Sequence, residues 1–215
     1  MKHQFKFIKD IILKVRKSIE LRKYNSYSIA EYFRKQGAQI GNGCNIIPTS
    51  LGTEPYLVKI GNNVTIASGV TFITHDGGAW ILRDEDSNAQ VFGPIIINDN
   101  CVIGQNAILF PNIRIGRNSI VGAGSVVISD VPPNTIVMGV PARPFGSVEK
   151  YKQKCIERWR IQQPPDCIIE PGKDWWTSKH FAQNREKLKN HLLKLFQKEL
   201  ALDTTEDTVN KKHSD

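Results

Sequence analysis

Residues 97–127 read INDNCVIGQNAILFPNIRIGRNSIVGAGSVV, with an apolar residue at every sixth position. These residues are Ile97, Ile103, Leu109, Ile115, Val121 and Val127. Two shorter runs upstream have the same period: Ile40 with Ile46, and Ile60 with Ile66 and Phe72. A period of six is typical of flat coils in which short strands alternate with turns and equivalent side chains stack in columns. The sequence therefore predicts an all-β core, a left-handed parallel β-helix, over residues 37–146.

Small residues accompany the repeat at two further positions. The residue after the apolar one is often glycine, as at Gly41, and glycine and asparagine suit coil corners because they tolerate left-handed backbone conformations. Cys44 and Cys101 occupy the position four residues after the apolar one, which we expect to point inward. With Cys155 and Cys167 the chain has four cysteines and no C-x-x-C pair, so we expect reduced structural thiols.

The formal charge of +8 is distributed unevenly along the 215 residues. Residues 1–36 carry ten Lys and Arg against three Asp and Glu, residues 37–146 carry five against seven, and residues 147–215 carry fourteen against eleven. A basic chain first suggests a nucleic-acid partner, but the predicted coil is the least basic part and lacks a basic stripe that would follow phosphates. We therefore expect no nucleic acid, and we divide the chain into an N-terminal arm, a β-helix domain and a C-terminal arm.

The N-terminal arm, residues 1–36, begins with an amphipathic helical pattern. Alternating steps of three and four separate Phe5, Ile8, Ile12, Val15 and Ile19, which places them on one helical face with basic residues mainly on the others. Such a stripe either packs on its own protein or lies on an anionic membrane surface. No apolar run is long enough for a membrane span, and charged residues interrupt any secretory signal. We expect a cytoplasmic protein whose membrane contact is at most peripheral, through this helix.

The C-terminal arm, residues 147–215, contains a second helical pattern. Leucine and phenylalanine alternate with lysine from about residue 178 to 202, which predicts an amphipathic helix. Trp175 and Trp176 precede it and are expected to anchor the arm to the coil. The polar stretch 203–215 is predicted to be a disordered tail.

The repeat region contains one histidine, His75, at the point where the period stops. An irregular stretch runs from Asp76 to Gly93, and the register resumes before Ile97. A long excursion from a rigid scaffold is a usual place for a binding loop. An imidazole at the root of this loop can remove a proton from an acceptor hydroxyl, because it is mostly neutral near pH 7. The alternative interpretation is a hydrogen-bonded histidine that merely ends a coil.

Three segments resemble a known family: VTFITHDGG at 70–78, IGRNSIVGAGSVV at 115–127 and VPPNTIVMGVPAR at 131–143. They resemble the hexapeptide-repeat acyltransferases, and within them the maltose, galactoside and nodulation-factor O-acetyltransferases and their surface-polysaccharide relatives. The resemblance covers roughly residues 37–145. It implies a homotrimer in which acetyl-CoA, the co-substrate, lies in the groove between two subunits with an acceptor site below it.

The resemblance also implies roles for individual residues. His75 would be the general base for direct attack of the acceptor oxygen on the thioester, while backbone amides near Gly104 and Gln105 would stabilise the developing oxyanion. The positions that match the cofactor-binding residues of the family are Gln105, Ala123, Ile128, Ser129 and Arg143. Contacts to the acceptor are expected from Asn45, Glu54, Asp76 and Trp80. The indole of Trp80 would stack on a sugar ring, or else pack within the loop.

These residues and the resemblance predict an acetyl-CoA-dependent O-acetyltransferase that acts on a sugar or glycan, in capsule, O-antigen or another surface glycan. The nearest alternative is an N-acetyltransferase for a nucleotide-linked amino sugar, because the same base serves an ammonium acceptor. A streptogramin-type antibiotic acetyltransferase ranks third, and a non-catalytic scaffold or glycan-binding module would need neither His75 nor Arg143. A hexapeptide carbonic anhydrase would need several histidines to hold zinc, so we expect no metal.

Overall fold

The computed structural model of the chain describes residues 2–165 and 179–200, with only the helical backbone for residues 2–10. Within this part, two helices lead into a coil of short strands, and three further helices follow it. Cys167, the Trp175–Trp176 pair and the predicted tail at 203–215 lie outside the described residues.

Three parallel sheets form the coil. The first contains β1 (Gln39–Ile40), β3 (Val58–Ile60), β8 (Ile95–Ile97) and β11 (Ile113–Ile115). The second contains β5 (Thr71–Phe72), β10 (Ile108–Leu109) and β13 (Val126–Val127). The third contains β2 (Asn45–Ile46), β4 (Thr65–Ile66), β9 (Val102–Ile103), β12 (Ile120–Val121), β14 (Thr135–Met138) and β15 (Arg143–Ser147), of which β15 alone is antiparallel to its neighbour.

Equivalent positions in regular coils are 18 residues apart, as in the pairing of Ile95 with Ile113. The separation is 37 residues where Thr71 pairs with Ile108, because the predicted excursion lies between them. This excursion is ordered rather than irregular: β6 (His75–Asp76) pairs antiparallel with β7 (Val91–Phe92), and a 3-10 helix spans Gly77–Asp84. These local hydrogen bonds satisfy backbone groups that the coil does not pair at this level.

Residues at the six-residue positions fill the interior of the coil. Ile46, Ile66, Ile103, Leu109 and Val121 have no exposed surface. Burial of one such aliphatic side chain stabilises a fold by roughly 1.5–3 kcal/mol relative to its exposure. The predicted interior column is confirmed, and its stacked side chains stabilise one coil upon the next.

Cys44 and Cys101 are buried free thiols, as predicted. The thiol of Cys44 donates to the carbonyl oxygen of Gly61 at 3.2 Å, and that of Cys101 to the carbonyl oxygen of Gly116 at 3.1 Å. Burial raises the pKa of the Cys101 thiol above its ordinary value. Both side chains therefore serve the packing of the small inward column, while Cys155 is exposed.

Asparagines occupy one corner of the coil. Asn63, Asn100, Asn118 and Asn134 have φ values between 54° and 58°. Their side chains form a ladder of hydrogen bonds of 3.3, 3.1 and 3.0 Å from one level to the next. Asparagine tolerates this left-handed conformation, and its amide both donates and accepts. The expectation that asparagine suits the corners is confirmed.

Two helices precede the coil. α1 (Lys2–Leu21) contains the predicted amphipathic pattern, and the side chains of residues 11–20 are all exposed. α2 (Ile29–Lys35) does not follow from the sequence pattern, because seven residues are too few to show a period. Its buried residues Tyr32 and Phe33 join the hydrophobic core of the coil.

The chain divides into two compact units at Tyr151. α3 (Val148–Gln162) crosses this boundary, and α4 (Phe181–Leu195) and α5 (Gln197–Leu200) belong to the second unit. Within the second unit, Nε2 of His191 lies 3.2 Å from the carbonyl oxygen of Ile161. Together, α4 and α5 cover most of the helix predicted at 178–202. No helix in the described ranges is long and apolar enough to cross a membrane.

Candidate active site

His75 lies where the excursion departs from the second sheet, in the first position of β6. Pairing of β6 with β7 fixes its backbone, and its ring meets the ring of Phe92 at a centroid distance of 6.3 Å. The side chain of His75 is 48% exposed. The imidazole is therefore held in place and open to solvent on one side.

A carboxylate contacts the imidazole from the protein side. Nδ1 of His75 is 3.2 Å from Oε2 of Glu54. The same oxygen accepts hydrogen bonds from the hydroxyls of Thr53 at 3.0 Å and Thr74 at 2.5 Å. Thr74 is buried, and the Glu54 side chain is only 14% exposed. Residues from two separate segments thus converge on one carboxylate oxygen.

The charge state of Glu54 determines which ring nitrogen of His75 can act as a base. The hydrogen bond from Thr74 lowers the pKa of the Glu54 carboxyl below its ordinary value; burial opposes this effect, and hydrogen bonds from His75 and Thr53 add to it. An ionised carboxylate can only accept, so we assign the hydrogen of this contact to Nδ1. In the neutral ring the lone pair then lies on Nε2, which is the nitrogen able to receive a proton.

The segment that precedes β3 positions Glu54. Leu51 is completely buried, and Gly52 has a φ of 85°. A Cβ atom on Gly52 would lie 2.9 Å from the carbonyl oxygen of Phe72, so only glycine allows this approach to the second sheet. We expected Glu54 to contact the acceptor, but its carboxylate is engaged with His75. Sequence periodicity does not reveal this contact, because its two residues lie on segments that both leave the repeat.

The excursion encloses a cleft beside His75. The cleft has a volume of about 300 Å³, and its lining includes His75, Asp76, Trp80, Arg83 and Gln90. Trp80 is 68% exposed, and the guanidinium of Arg83 stacks on its ring. An aromatic face with amide and charged groups next to a base suits an acceptor that has both a ring and hydroxyl groups. Arg83 is a residue that the sequence interpretation did not include.

Two of the expected cofactor-binding residues lie along the same edge of the second sheet as His75. β5, β10 and β13 pair in register, so the residues that follow each strand lie along one side of the sheet. We call this side, where the strands end, an edge of the sheet. Ile128 and Ser129 follow β13 directly, and His75 follows β5. At about 4.8 Å between neighbouring strands, β13 is about 10 Å from β5. Ile128 is 49% exposed at this edge.

The opposite edge is the side where the strands begin. It contains three expected residues, which precede β10 and β13: Gly104, Gln105 and Ala123. The amide of Gly104 already donates to the carbonyl oxygen of Val121 at 2.8 Å, so it is not free to stabilise an oxyanion as we expected. The amide of Gln105 has no hydrogen-bond partner among the residues that the structure describes. Of the two amides expected to stabilise an oxyanion, only that of Gln105 is thus left unpaired within the described part of the chain.

The remaining expected residues lie apart from the His75–Glu54 contact or serve local structure. Oδ1 of Asp76 accepts from the amide of Gly78 at 2.8 Å and caps the 3-10 helix. Arg143 begins β15 and is exposed, with Nη1 donating to its neighbour's carbonyl oxygen. Asn45 is in the third sheet, and its buried Oδ1 has no hydrogen-bond partner in the described part of the chain. Over residues 2–165 and 179–200, no group of three or more His, Cys, Asp or Glu is placed to hold a metal ion.

Comparison with known proteins gives matches to the repeat and to acetyltransferases. Residues 94–129 match the family model described as the hexapeptide repeat of succinyl-transferase. Protein CapG of Staphylococcus aureus is 49% identical over 127 residues, which cover 58% of this chain and 74% of that protein. Galactoside O-acetyltransferase of Escherichia coli K12 is 40% identical over 91 residues, covering 42% of this chain and 44% of the enzyme.

A third relative has a different acceptor. The 2,3,4,5-tetrahydropyridine-2,6-dicarboxylate N-acetyltransferase of Clostridium perfringens is 48% identical over 62 residues, covering 28% of this chain and 26% of that enzyme. The chain thus spans less than half the length of the two relatives named as acetyltransferases, and most of the length of CapG. The match to the repeat model, the match to CapG and the six-residue period all indicate the same family. The chain belongs to the hexapeptide-repeat acyltransferase superfamily.

Proposed function

We propose that this protein is an acetyl-CoA-dependent O-acetyltransferase whose acceptor is a sugar hydroxyl, in capsule, O-antigen or another surface glycan. The proposal rests on one observation: the carboxylate of Glu54 is within hydrogen-bond distance of Nδ1 of His75, and the other side of the ring borders an open cleft. This arrangement leaves Nε2 as the base. The named activity of the galactoside O-acetyltransferase supports a sugar as the acceptor.

The chemistry follows from the Glu54–His75 pair. The acceptor hydroxyl transfers its proton to Nε2 of His75 as its oxygen bonds to the acetyl carbonyl carbon. Glu54 stabilises the imidazolium that forms. CoA supplies the acetyl group as a thioester, and the departing thiolate takes the proton from His75 when the carbon–sulfur bond breaks. The amide of Gln105 donates to the carbonyl oxygen as negative charge develops there.

We further propose that the coil is left-handed and that the working unit is a homotrimer. Within one chain, His75 and the amide of Gln105 lie at opposite edges of the second sheet. A groove between two copies would set the His75 edge of one copy against the Gln105 edge of the next. The complete site would then need two subunits.

Residues along these edges fit acetyl-CoA. A Cβ atom on Gly124 would meet no atom of the described residues within 4 Å, so this corner suits the pantetheine arm. Ile128 is exposed for contact with the cofactor, and the exposed cation of Arg143 suits a CoA phosphate.

An N-acetyltransferase for a nucleotide-linked amino sugar is the second candidate. One relative is named as an N-acetyltransferase, and a base that deprotonates a hydroxyl also deprotonates an ammonium group. The two candidates differ in the stability of the product, since mild alkali removes an acetate ester and leaves an acetamide intact.

Thiol release from acetyl-CoA, measured against monosaccharides, nucleotide sugars and oligosaccharides, tests both candidates. We expect an alkali-labile product, and a fall in turnover of about 10²–10⁴-fold in His75→Ala with acetyl-CoA binding retained. His180→Ala, outside the coil, is the control and should keep wild-type turnover. Near-normal turnover of His75→Ala would overturn the role of His75. An alkali-stable acetate on an amino sugar would establish the second candidate.

A further inference from the structure

Helix α1 presents an apolar stripe that no residue of the described ranges covers. Ile12, Val15 and Ile19 lie on one helical face and are 46%, 51% and 55% exposed. The end of the helix is attached to the coil, because Leu21 is partly buried and packs against the hydrophobic core. Leu21 lies about 200° around the helix from Ile19, so the stripe faces away from the coil.

Cations border the stripe and continue around the helix. The helical period places Arg16 beside Ile12 on one border of the stripe, and Lys14 beyond the other border. An open cleft of about 470 Å³ between α1 and Thr49 has Lys14, Lys17 and Arg22 in its lining. The cleft lies on the coil side of α1, so of these cations Arg16 is the one next to the stripe. An apolar stripe with a cation on its border, in a basic segment, matches the acyl boundary and the phosphates of an anionic lipid layer.

The charges of this segment favour a lipid surface over a second copy of the chain as the partner that covers the stripe. Residues 1–36 carry ten basic and three acidic residues. If two copies packed stripe against stripe, two segments that each have this basic excess would come together and repel each other. An anionic bilayer covers the same stripe and neutralises the same cations. Since no helix in the described ranges could cross a membrane, a lipid-bound α1 would lie along the surface.

We infer that α1 is a membrane-surface anchor. It lies in the interface of an anionic bilayer, with Ile12, Val15 and Ile19 at the acyl boundary and Arg16 at the level of the phosphates. The anchor does not depend on the proposed chemistry of His75, because it uses separate residues. Its test therefore stands whether or not the chain acetylates a sugar.

Co-sedimentation of the full chain with vesicles tests the anchor. We expect binding to phosphatidylcholine vesicles that contain phosphatidylserine, and binding roughly tenfold or more weaker to vesicles of phosphatidylcholine alone. Added salt should weaken the binding, because it screens the cations. Equal binding to both vesicles, or binding to neither, would overturn the inference.

Substitutions on two faces of α1 distinguish insertion of the stripe into the bilayer from nonspecific hydrophobic binding. The triple variant Ile12→Gln, Val15→Gln, Ile19→Gln should bind anionic vesicles roughly tenfold or more weakly. Leu13→Gln is the matched control, because Leu13 is 52% exposed on a different face and should not affect binding. Far-ultraviolet circular dichroism establishes that both variants fold. The inference fails if both bind like the wild type, if Leu13→Gln weakens binding equally, or if the triple variant changes only the oligomeric mass.

Discussion

Oε2 of Glu54 lies 3.2 Å from Nδ1 of His75, and the contact joins two segments that both leave the regular coil. Glu54 precedes the 3-10 helix Pro55–Leu57, and His75 begins the excursion after β5. A carboxylate that accepts from Nδ1 favours the tautomer with the lone pair on Nε2, so we assign Glu54 as a positioning residue for the proposed base.

Glu54→Gln tests this positioning. The side-chain amide of glutamine can donate to Nδ1, which would move the ring hydrogen to Nε2 and remove the basic lone pair. We expect turnover to fall by about 10²-fold or more, with little change in KM for acetyl-CoA. Steady-state thiol release measures both constants. Glu54→Asp keeps the charge and should lose less turnover than Glu54→Gln. Equal turnover for the wild type and both variants would contradict the role of the carboxylate.

Glu54 also makes stability depend on pH. The hydrogen bond from Thr74 lowers the pKa of the folded-state carboxyl from its ordinary value of 4.5, so the ionised form stabilises the fold. This contribution is fully present above pH 4.5 and is lost as the pH falls through the folded-state pKa. Urea unfolding of the wild type and Glu54→Gln should give a constant difference in free energy near neutral pH and a shrinking one in acid. A difference that grew on acidification would contradict the assignment.

Gly52→Ala should disturb the support of Glu54. The substitution adds a Cβ atom 2.9 Å from the carbonyl oxygen of Phe72 and places alanine at a φ of 85°. We expect a loss of about 1–3 kcal/mol of unfolding free energy, together with reduced turnover. Gly146→Ala is the control, because a Cβ atom there meets no described atom within 4 Å and Gly146 does not line the cleft. Indistinguishable melting temperatures for the two variants would show that the close approach at Gly52 is not strained.

Trp80→Ala should affect the acceptor and not the cofactor. Loss of the exposed indole removes a stacking surface from the cleft, so KM for the sugar should rise about three- to tenfold while KM for acetyl-CoA stays unchanged. Ile81→Ala provides the control, since Ile81 is 84% exposed and does not line the cleft. A parallel rise in both KM values would indicate a general disturbance of the excursion.

The interior and corners of the coil could be predicted because they repeat. Each apolar position faces the same column as its equivalent one coil away, so a local pattern determines the burial of Ile103 and Val121. The Glu54–His75 contact could not be predicted in this way, because its geometry depends on two segments outside the period. The amide of Gly104 shows a similar limit: glycine marks a corner, but the next coil determines whether that amide is already paired.

The coil resumes its register after the excursion, with Thr71 still paired to Ile108 across 37 residues. Beyond the residues that hold His75 in place, such an inserted segment can change in length and composition without disturbing the stacking of the coil. If Trp80 and Arg83 contact the acceptor as proposed, substitutions of these two residues would change the choice of acceptor and leave the edge at Gln105 unchanged.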